Sequence, residues 1–200
     1  MTGPLAERLS ELVLAHGLEP GARLPAERAL AELLGVSRPA LREATSRLVA
    51  RGILQTRRGS GTYLAPLELA DVTAVRLRLE PFAAELAATR ADSPAREDLR
   101  ARLDELGAAR EDAARFARLD LELHAAVAAA SRNAVLAGAL ADLGLVLRFT
   151  RAQTARDPAR REATMAELGA VVAAIGAGDA AGAEAAMRIH ILNVAGRPVA

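Results

Sequence analysis

The stretch "SRPALREATSRLVARG", residues 37–52, sets Leu41, Ala44 and Leu48 on one helical face and Arg38, Arg42 and Thr45 on a neighbouring face. A guanidinium is a planar fork of donors that matches guanine O6 and N7, and a helix entering a major groove N-terminus first brings its first-turn side chains to base edges. Ser37 stands just before that turn, where a hydroxyl can cap the helix or donate to a phosphate. The same pattern describes a solvated face, since exposed charge is the default on a helix. Spacing alone leaves both readings open.

A second basic element follows at "QTRRGSGTYL", residues 55–64. Two β-favouring segments, 53–56 and 62–64, flank Arg57, Arg58, Gly59, Ser60 and Gly61, which reads as a hairpin with a basic, glycine-bearing tip. It is no phosphate-binding P-loop, because the Lys-Ser or Lys-Thr pair is missing and a strand follows where a helix should. "GAGDAAG", residues 176–182, follows one helix and opens another, so it is no dinucleotide fingerprint; Asp179 is more simply a helix N-cap.

The elements that must position these residues divide in two. Leu5, Leu9, Leu12 and Val13 make one helical stripe, ended by the breakers Gly17, Pro20, Gly21 and Pro25. "PAERALAELLG" reads as a short second helix closed by Gly35, and a third runs from Ser37 to about Arg51. Three helices and a hairpin make a winged helix-turn-helix over residues 1–64. Pro66 marks a linker at 65–68. Residues 69–200 contain six helix-length segments separated by Asp, Ser, Asn, Pro and Gly, which predicts an all-α antiparallel bundle. The fold class expected is therefore mainly α.

The chain has no cysteine, which excludes disulfides, thiol catalysis and thiolate metal sites. Its apolar runs are too short to span a bilayer and it opens with no basic, then apolar, leader pattern, so a soluble cytoplasmic protein is expected. All 26 basic residues are arginine. Residues 1–64 hold nine arginines against six acids, and the remainder 17 against 19. The positive excess lies where a phosphate-bearing partner would favour it.

In order and at spacing, the Leu-Pro-x-Glu-Arg start at Leu24, the Gly-Val-Ser-Arg turn at Gly35, the Leu-Arg-Glu-Ala helix at Leu41 and the Gly-Ser-Gly-Thr wing at Gly59 closely resemble the winged-helix domain of GntR-family bacterial transcription regulators. The resemblance implies that Arg28, Arg38 and Arg42 contact DNA and that Arg58 and Gly59 at the wing reach the minor groove, with Ser37 as a further contact. "VRLRLEPFAAELAA", "DLELHAAVAAASRN" and "AIGAGDAAGAEAAMRIH" resemble the FCD effector-binding and dimerisation domain of the FadR branch.

Many FCD members hold a metal with an aspartate, a histidine four residues on, and two histidines from the last helices. Asp120, His124 and His190 match three of those positions, and Leu168 stands where the fourth ligand is usual. The resemblance thus implies a zinc, nickel or manganese ion held weakly or not at all. The alternative is that Asp120 is a surface charge and the histidines are hydrogen-bonded interior residues. Asn193 lies one turn beyond His190, and Arg76 and Arg148 are candidate clamps for a carboxylate, so all six residues are candidates for effector binding. The expectation is a metabolite-responsive regulator, a repressor, that binds a palindromic double-stranded operator as a homodimer and takes a small organic acid as effector. Its rivals are a regulator for which the metal is itself the signal, and a metal-dependent enzyme with an accessory DNA-binding module. No nucleophile or general base stands out beyond the candidate ligands, so enzymatic activity is not expected.

Overall fold

The computed structural model describes residues 5, 8, 9, 12, 13, 18, 21–66 and 69–196. They divide into two compact units, Met1–Glu68 and Leu69–Ala200.

In the first unit Leu5, Arg8, Leu9, Leu12 and Val13 are helical, while the expected breakers Gly17 and Pro20 lie outside the described residues. Helices α1 (Glu27–Leu34) and α2 (Arg38–Ala50) follow, then strands β1 (Leu54–Arg57) and β2 (Gly61–Leu64). Gly35 closes α1 in the left-handed conformation, φ 64°, that glycine adopts without a Cβ penalty. Ser37 caps α2 by accepting from Ala40 N at 3.3 Å. Leu41, Ala44 and Leu48 of α2 are buried, joining Leu9, Leu30 and Leu34 in the unit's core. The stripe expected to face inward does so, and the arginines are left outside it.

The strands pair antiparallel, Leu54 with Leu64 through Arg57 with Gly61. Arg57 and Gly61 therefore close the ladder and do not belong to the tip, which is Arg58, Gly59 and Ser60. Residues 21–24 add an edge to this hairpin that sequence reasoning took for loop: Leu24 N donates to Thr62 O at 2.8 Å and Leu64 N to Ala22 O at 2.9 Å. Gly21 and Pro25 stop a helix, yet the two pairing groups between them belong to residues free to extend.

The second unit is six helices: α3 (Leu69–Arg90), α4 (Ser93–Ala108), α5 (Ala113–Ala130), α6 (Ala134–Thr154), α7 (Pro158–Ala177) and α8 (Ala180–Ala195). Asp92, Asp112, Asp157 and Asp179 each cap the helix that follows by accepting from a first-turn amide. Connections of two to four residues turn successive helices back on one another. Helix α3 packs against α5, α6, α7 and α8. Its buried face is Ala83, Ala84, Ala87 and Ala88, small enough for close helix approach. Pro81 sits inside α3 without breaking it. The carbonyl it leaves without an intrahelical donor, that of Leu77, is approached at 3.5 Å by Arg188 Nη1 of α8.

Candidate functional site

Two sets of residues carry chemistry, one in each unit. In the first, Arg38 and Arg42 lie on the exposed side of α2 and share one partner: Glu27 of α1 accepts from Arg38 Nε at 2.7 Å and from Arg42 Nε at 2.8 Å. The Arg42 and Arg38 hydrogen bonds hold the Glu27 carboxyl below its ordinary range, so it is ionised at neutral pH. Arg28 is exposed and pairs with Glu32 at 3.0 Å. Arg58 and Gly59 are exposed at the hairpin tip, and Gly59 has φ 72°. Tyr63 stiffens the hairpin: its hydroxyl lies 2.5 Å from Ser60 Oγ, and the Arg57 guanidinium stacks 4.3 Å above its ring.

In the second unit Asp120 and His124 of α5 meet His190 of α8. Each offers a ligand atom, and these atoms lie within 4.8 Å of one another. The rings of His124 and His190 are 5.2 Å apart. Each ring is oriented by a carboxylate from another helix: His124 Nδ1 by Glu80 of α3 at 2.5 Å, and His190 Nδ1 by Glu167 of α7 at 2.8 Å. A carboxylate that takes the Nδ1 proton leaves the lone pair of a neutral imidazole on Nε2. Burial, reinforced by the charges of neighbouring arginines, depresses the His190 pKa to about 3, against the opposing pull of Glu167. His190 is therefore neutral and presents Nε2 as an acceptor.

Asp120 Oδ1, His124 Nε2 and His190 Nε2 are buried with no hydrogen-bond partner. Asp120 Oδ1 and His190 Nε2 are unsatisfied acceptors and His124 Nε2 converges on them, a set of ligand atoms that suits a divalent cation. The usual fourth position does not contribute: Leu168 of α7 is 1% exposed and belongs to the apolar core.

Arginines surround this triad. Arg151 of α6 forms a buried ion pair with Asp120 Oδ2, and Arg76 Nε donates to Glu80 at 2.6 Å. Burial would raise the Glu80 carboxyl, yet the Arg76 guanidinium and the His124 hydrogen bond hold it well below its ordinary range. Arg160 of α7 pairs with Glu167 and donates to Thr164 at 3.1 Å. A cavity of about 20 Å³ is lined by Arg76, Asp120, Arg151, Arg160, Arg161 and His190 among others. Arg76 Nη2 and Arg151 Nε and Nη2 are buried without a partner. Four guanidiniums and one carboxylate line the cavity, and with Glu80 paired to Arg76 and Glu167 to Arg160 behind it the cluster keeps one positive charge in excess.

Of the expected effector residues, Arg76, Asp120 and His190 line this cavity, and His124 stands behind it. Arg148 is half-buried and is not among the lining residues; Arg151, one turn later on α6, takes that place. Asn193 is exposed and does not line the cavity; its Nδ2 donates to Glu167 at 2.9 Å, so it acts on His190 from behind. Sequence reasoning missed Arg151, Arg160, Arg161 and Glu167. Only Glu80, four residues after Arg76, carried a local signal, the i, i+4 pair.

Residues 2–64 match the bacterial regulatory proteins of the gntR family, and residues 71–193 match the FCD domain. LutR, an HTH-type transcriptional regulator of Bacillus subtilis, is 32% identical over 88% of this chain and 91% of its own. An Escherichia coli protein whose name assigns it to regulation of the L-lactate dehydrogenase operon is 32% identical over 96% of this chain and 83% of its own. Among solved structures, Streptococcus agalactiae GntR aligns with a TM-score of 0.57 at 28% identity, covering 95% of this chain and 96% of that one. E. coli McbR/YncC aligns with a TM-score of 0.83 at 22% identity over 96% and 95%, a likeness of fold. No helix among the described residues is long and apolar enough to cross a membrane. The chain belongs to the GntR family, in its FadR branch with an FCD domain, and is a DNA-binding transcription regulator.

Proposed function

We propose that the protein is a repressor that binds a palindromic operator as a homodimer and answers to a small organic acid held by the buried arginines of the bundle. It works by binding and not by turnover, within the cytoplasm. One recognition helix reads a few base pairs, and a two-fold dimer on a palindrome multiplies that affinity. Arg38 and Arg42 read guanine from α2, Ser37 and Arg28 hold the backbone, and Arg58 and Gly59 follow the minor groove.

The observation that carries the effector reading is the set of partnerless buried atoms around the cavity: guanidinium donors on Arg76 and Arg151 beside the acceptors Asp120 Oδ1 and His190 Nε2. A carboxylate answers the donors, and a hydroxyl on the same molecule answers the acceptors. The name of the relative concerned with an L-lactate dehydrogenase operon accords with a small acid of this kind. Zinc, nickel or manganese, if bound, would be held by Asp120, His124 and His190 and would add positive charge for a carboxylate oxygen. Glu80 and Glu167 orient the two rings, and Asn193 steadies Glu167.

The cavity, about 20 Å³, has room for about one water. A three-carbon acid therefore fits only a bundle whose helices have moved, and it favours that conformer by its differential affinity. This supplies the switch. A thermal-shift screen of mono-, di- and hydroxycarboxylic acids, with and without zinc or manganese, tests the reading: an acid that raises the melting temperature should also change affinity for the operator. Acids that stabilise the protein without changing operator binding would break the link.

A further inference from the structure

We propose that Glu27 is a positioning residue for base reading: one carboxylate grips both α2 arginines at Nε, fixing their side chains and leaving their Nη amines to the DNA. The inference rests on the assignment of Arg38 and Arg42 to guanine contacts and deepens it.

Glu27 comes from α1, 11 and 15 residues before its partners, so tertiary packing and not helical spacing brings the three together. Each of its oxygens takes one arginine, at 2.7 and 2.8 Å. Both bonds use Nε, and among the described residues neither Arg38 nor Arg42 makes a hydrogen bond through Nη. Their side chains are 59% and 63% exposed, against 34% for Glu27. A guanidinium has five N–H donors in a rigid fork, so occupying Nε leaves the end-on pair of Nη groups, the pair that spans guanine O6 and N7. Among the described residues no other side chain is hydrogen-bonded to both arginines.

Two consequences follow, and they pull in opposite directions on affinity. An arginine already held in one rotamer loses less freedom on binding, which favours the operator. A carboxylate between two guanidiniums also cuts the local charge from +2 to +1, which disfavours phosphate contacts that any sequence supplies. Unclamped arginines spaced i, i+4 would repel each other and turn to the nearest phosphates. The clamp therefore trades non-specific affinity for discrimination.

The test uses the full chain. Wild type selects duplexes from a random double-stranded library, and the recovered duplex and a scrambled one of equal length are titrated by fluorescence anisotropy over a range of salt. Glu27→Gln should bind the scrambled duplex roughly 3- to 10-fold more tightly, with a salt slope steeper by about one, and should lose about tenfold in the ratio of selected to scrambled affinity. Glu27→Asp keeps the charge but is one methylene too short to reach both partners. It should keep wild-type affinity for the scrambled duplex and still lose discrimination. If Glu27 only supports the N-terminus of α1, both variants will lower the melting temperature and shift both duplexes by one factor, and the proposal falls. Arg38→Ala and Arg42→Ala are run in parallel. If neither weakens the selected duplex, the recognition-helix assignment itself is wrong; if they do while Glu27→Gln leaves the ratio unchanged, only the clamp is.

Discussion

Arg151→Met tests how the triad of Asp120, His124 and His190 is tuned. Arg151 pairs with Oδ2 of the carboxylate whose Oδ1 faces the two histidines without a hydrogen bond. A divalent ion on Oδ1 would stand roughly 5 Å from that guanidinium, and two positive charges against one at this distance repel by about 1.7 kcal/mol even at the dielectric constant of water. At an effective constant of 20 the repulsion is about four times larger. Methionine fills a similar volume without charge, so zinc should bind Arg151→Met at least tenfold more tightly than wild type by isothermal titration calorimetry. The same change strips a buried carboxylate of its partner, which costs roughly 3 to 5 kcal/mol when nothing replaces it. Without metal the variant should therefore melt lower than wild type, and zinc should raise its melting temperature by more. Zinc affinity equal to or weaker than wild type would show that Arg151 and an ion do not compete for Asp120.

Arg58→Ala at the wing should weaken selected and scrambled duplexes by similar factors in gel shifts, whereas Arg38→Ala should cost about 1 to 3 kcal/mol on the selected duplex and flatten the preference at one position. Arg96 donates to Ala91 O, Gly176 O and Ala88 O at 3.1, 2.8 and 3.1 Å, tying the ends of α3 and α7 together, so Arg96→Leu should lower stability by about 2 kcal/mol in urea denaturation. The Asp92 carboxyl is held below its ordinary value of 3.8 by Ala95 N and Arg132, so its contribution is present above that value and is lost as pH falls through the lower folded one. Asp92→Ala should thus melt below wild type at pH 7, and the gap should close as the solution is acidified below about 3.8. A gap that stays constant into that range would mean the cap works without its charge.

The winged half was legible because its signals are local. Gly35 at a left-handed C-cap, Ser37 at an N-cap and the Leu41, Ala44, Leu48 stripe each follow from residues within one turn, and each is found in the structure. Asp179, read as the cap of the last helix, likewise accepts from Gly182 N at 2.9 Å. The edge at 21–24 escaped because its pairing is made by backbone groups between Gly21 and Pro25, with no alternation of side chains to announce it. Pro81 illustrates the reverse case. A proline inside a predicted helix argues for a break, but the unit packs α3 on four other helices, and Arg188 answers the carbonyl that proline leaves bare.

The bundle site was half legible for a physical reason. Asp120 and His124 sit one turn apart, and histidines number three in the whole chain, so their positions stand out. Arginine gives no such signal among 26, and a buried guanidinium is recognised only when its partner is known. Arg148 and Arg151 are one turn apart on α6, and local periodicity cannot say which turns inward; the choice belongs to Asp120, which lies on a different helix. The same holds for Glu167. Its neighbour Leu168 drew attention as an absent imidazole, yet leucine there goes to the core while Glu167 grips the Nδ1 of His190. With leucine at 168, the orientation of His190 comes from Glu167, which Asn193 holds in turn. Arginines from α3, α6 and α7 line the cavity, so on the proposed reading a carboxylate finds its counter-charge there without an ion. On the proposed reading, a response to an acid and the holding of a metal are separable, and the Arg151→Met titration tests whether Arg151 sets the balance between them.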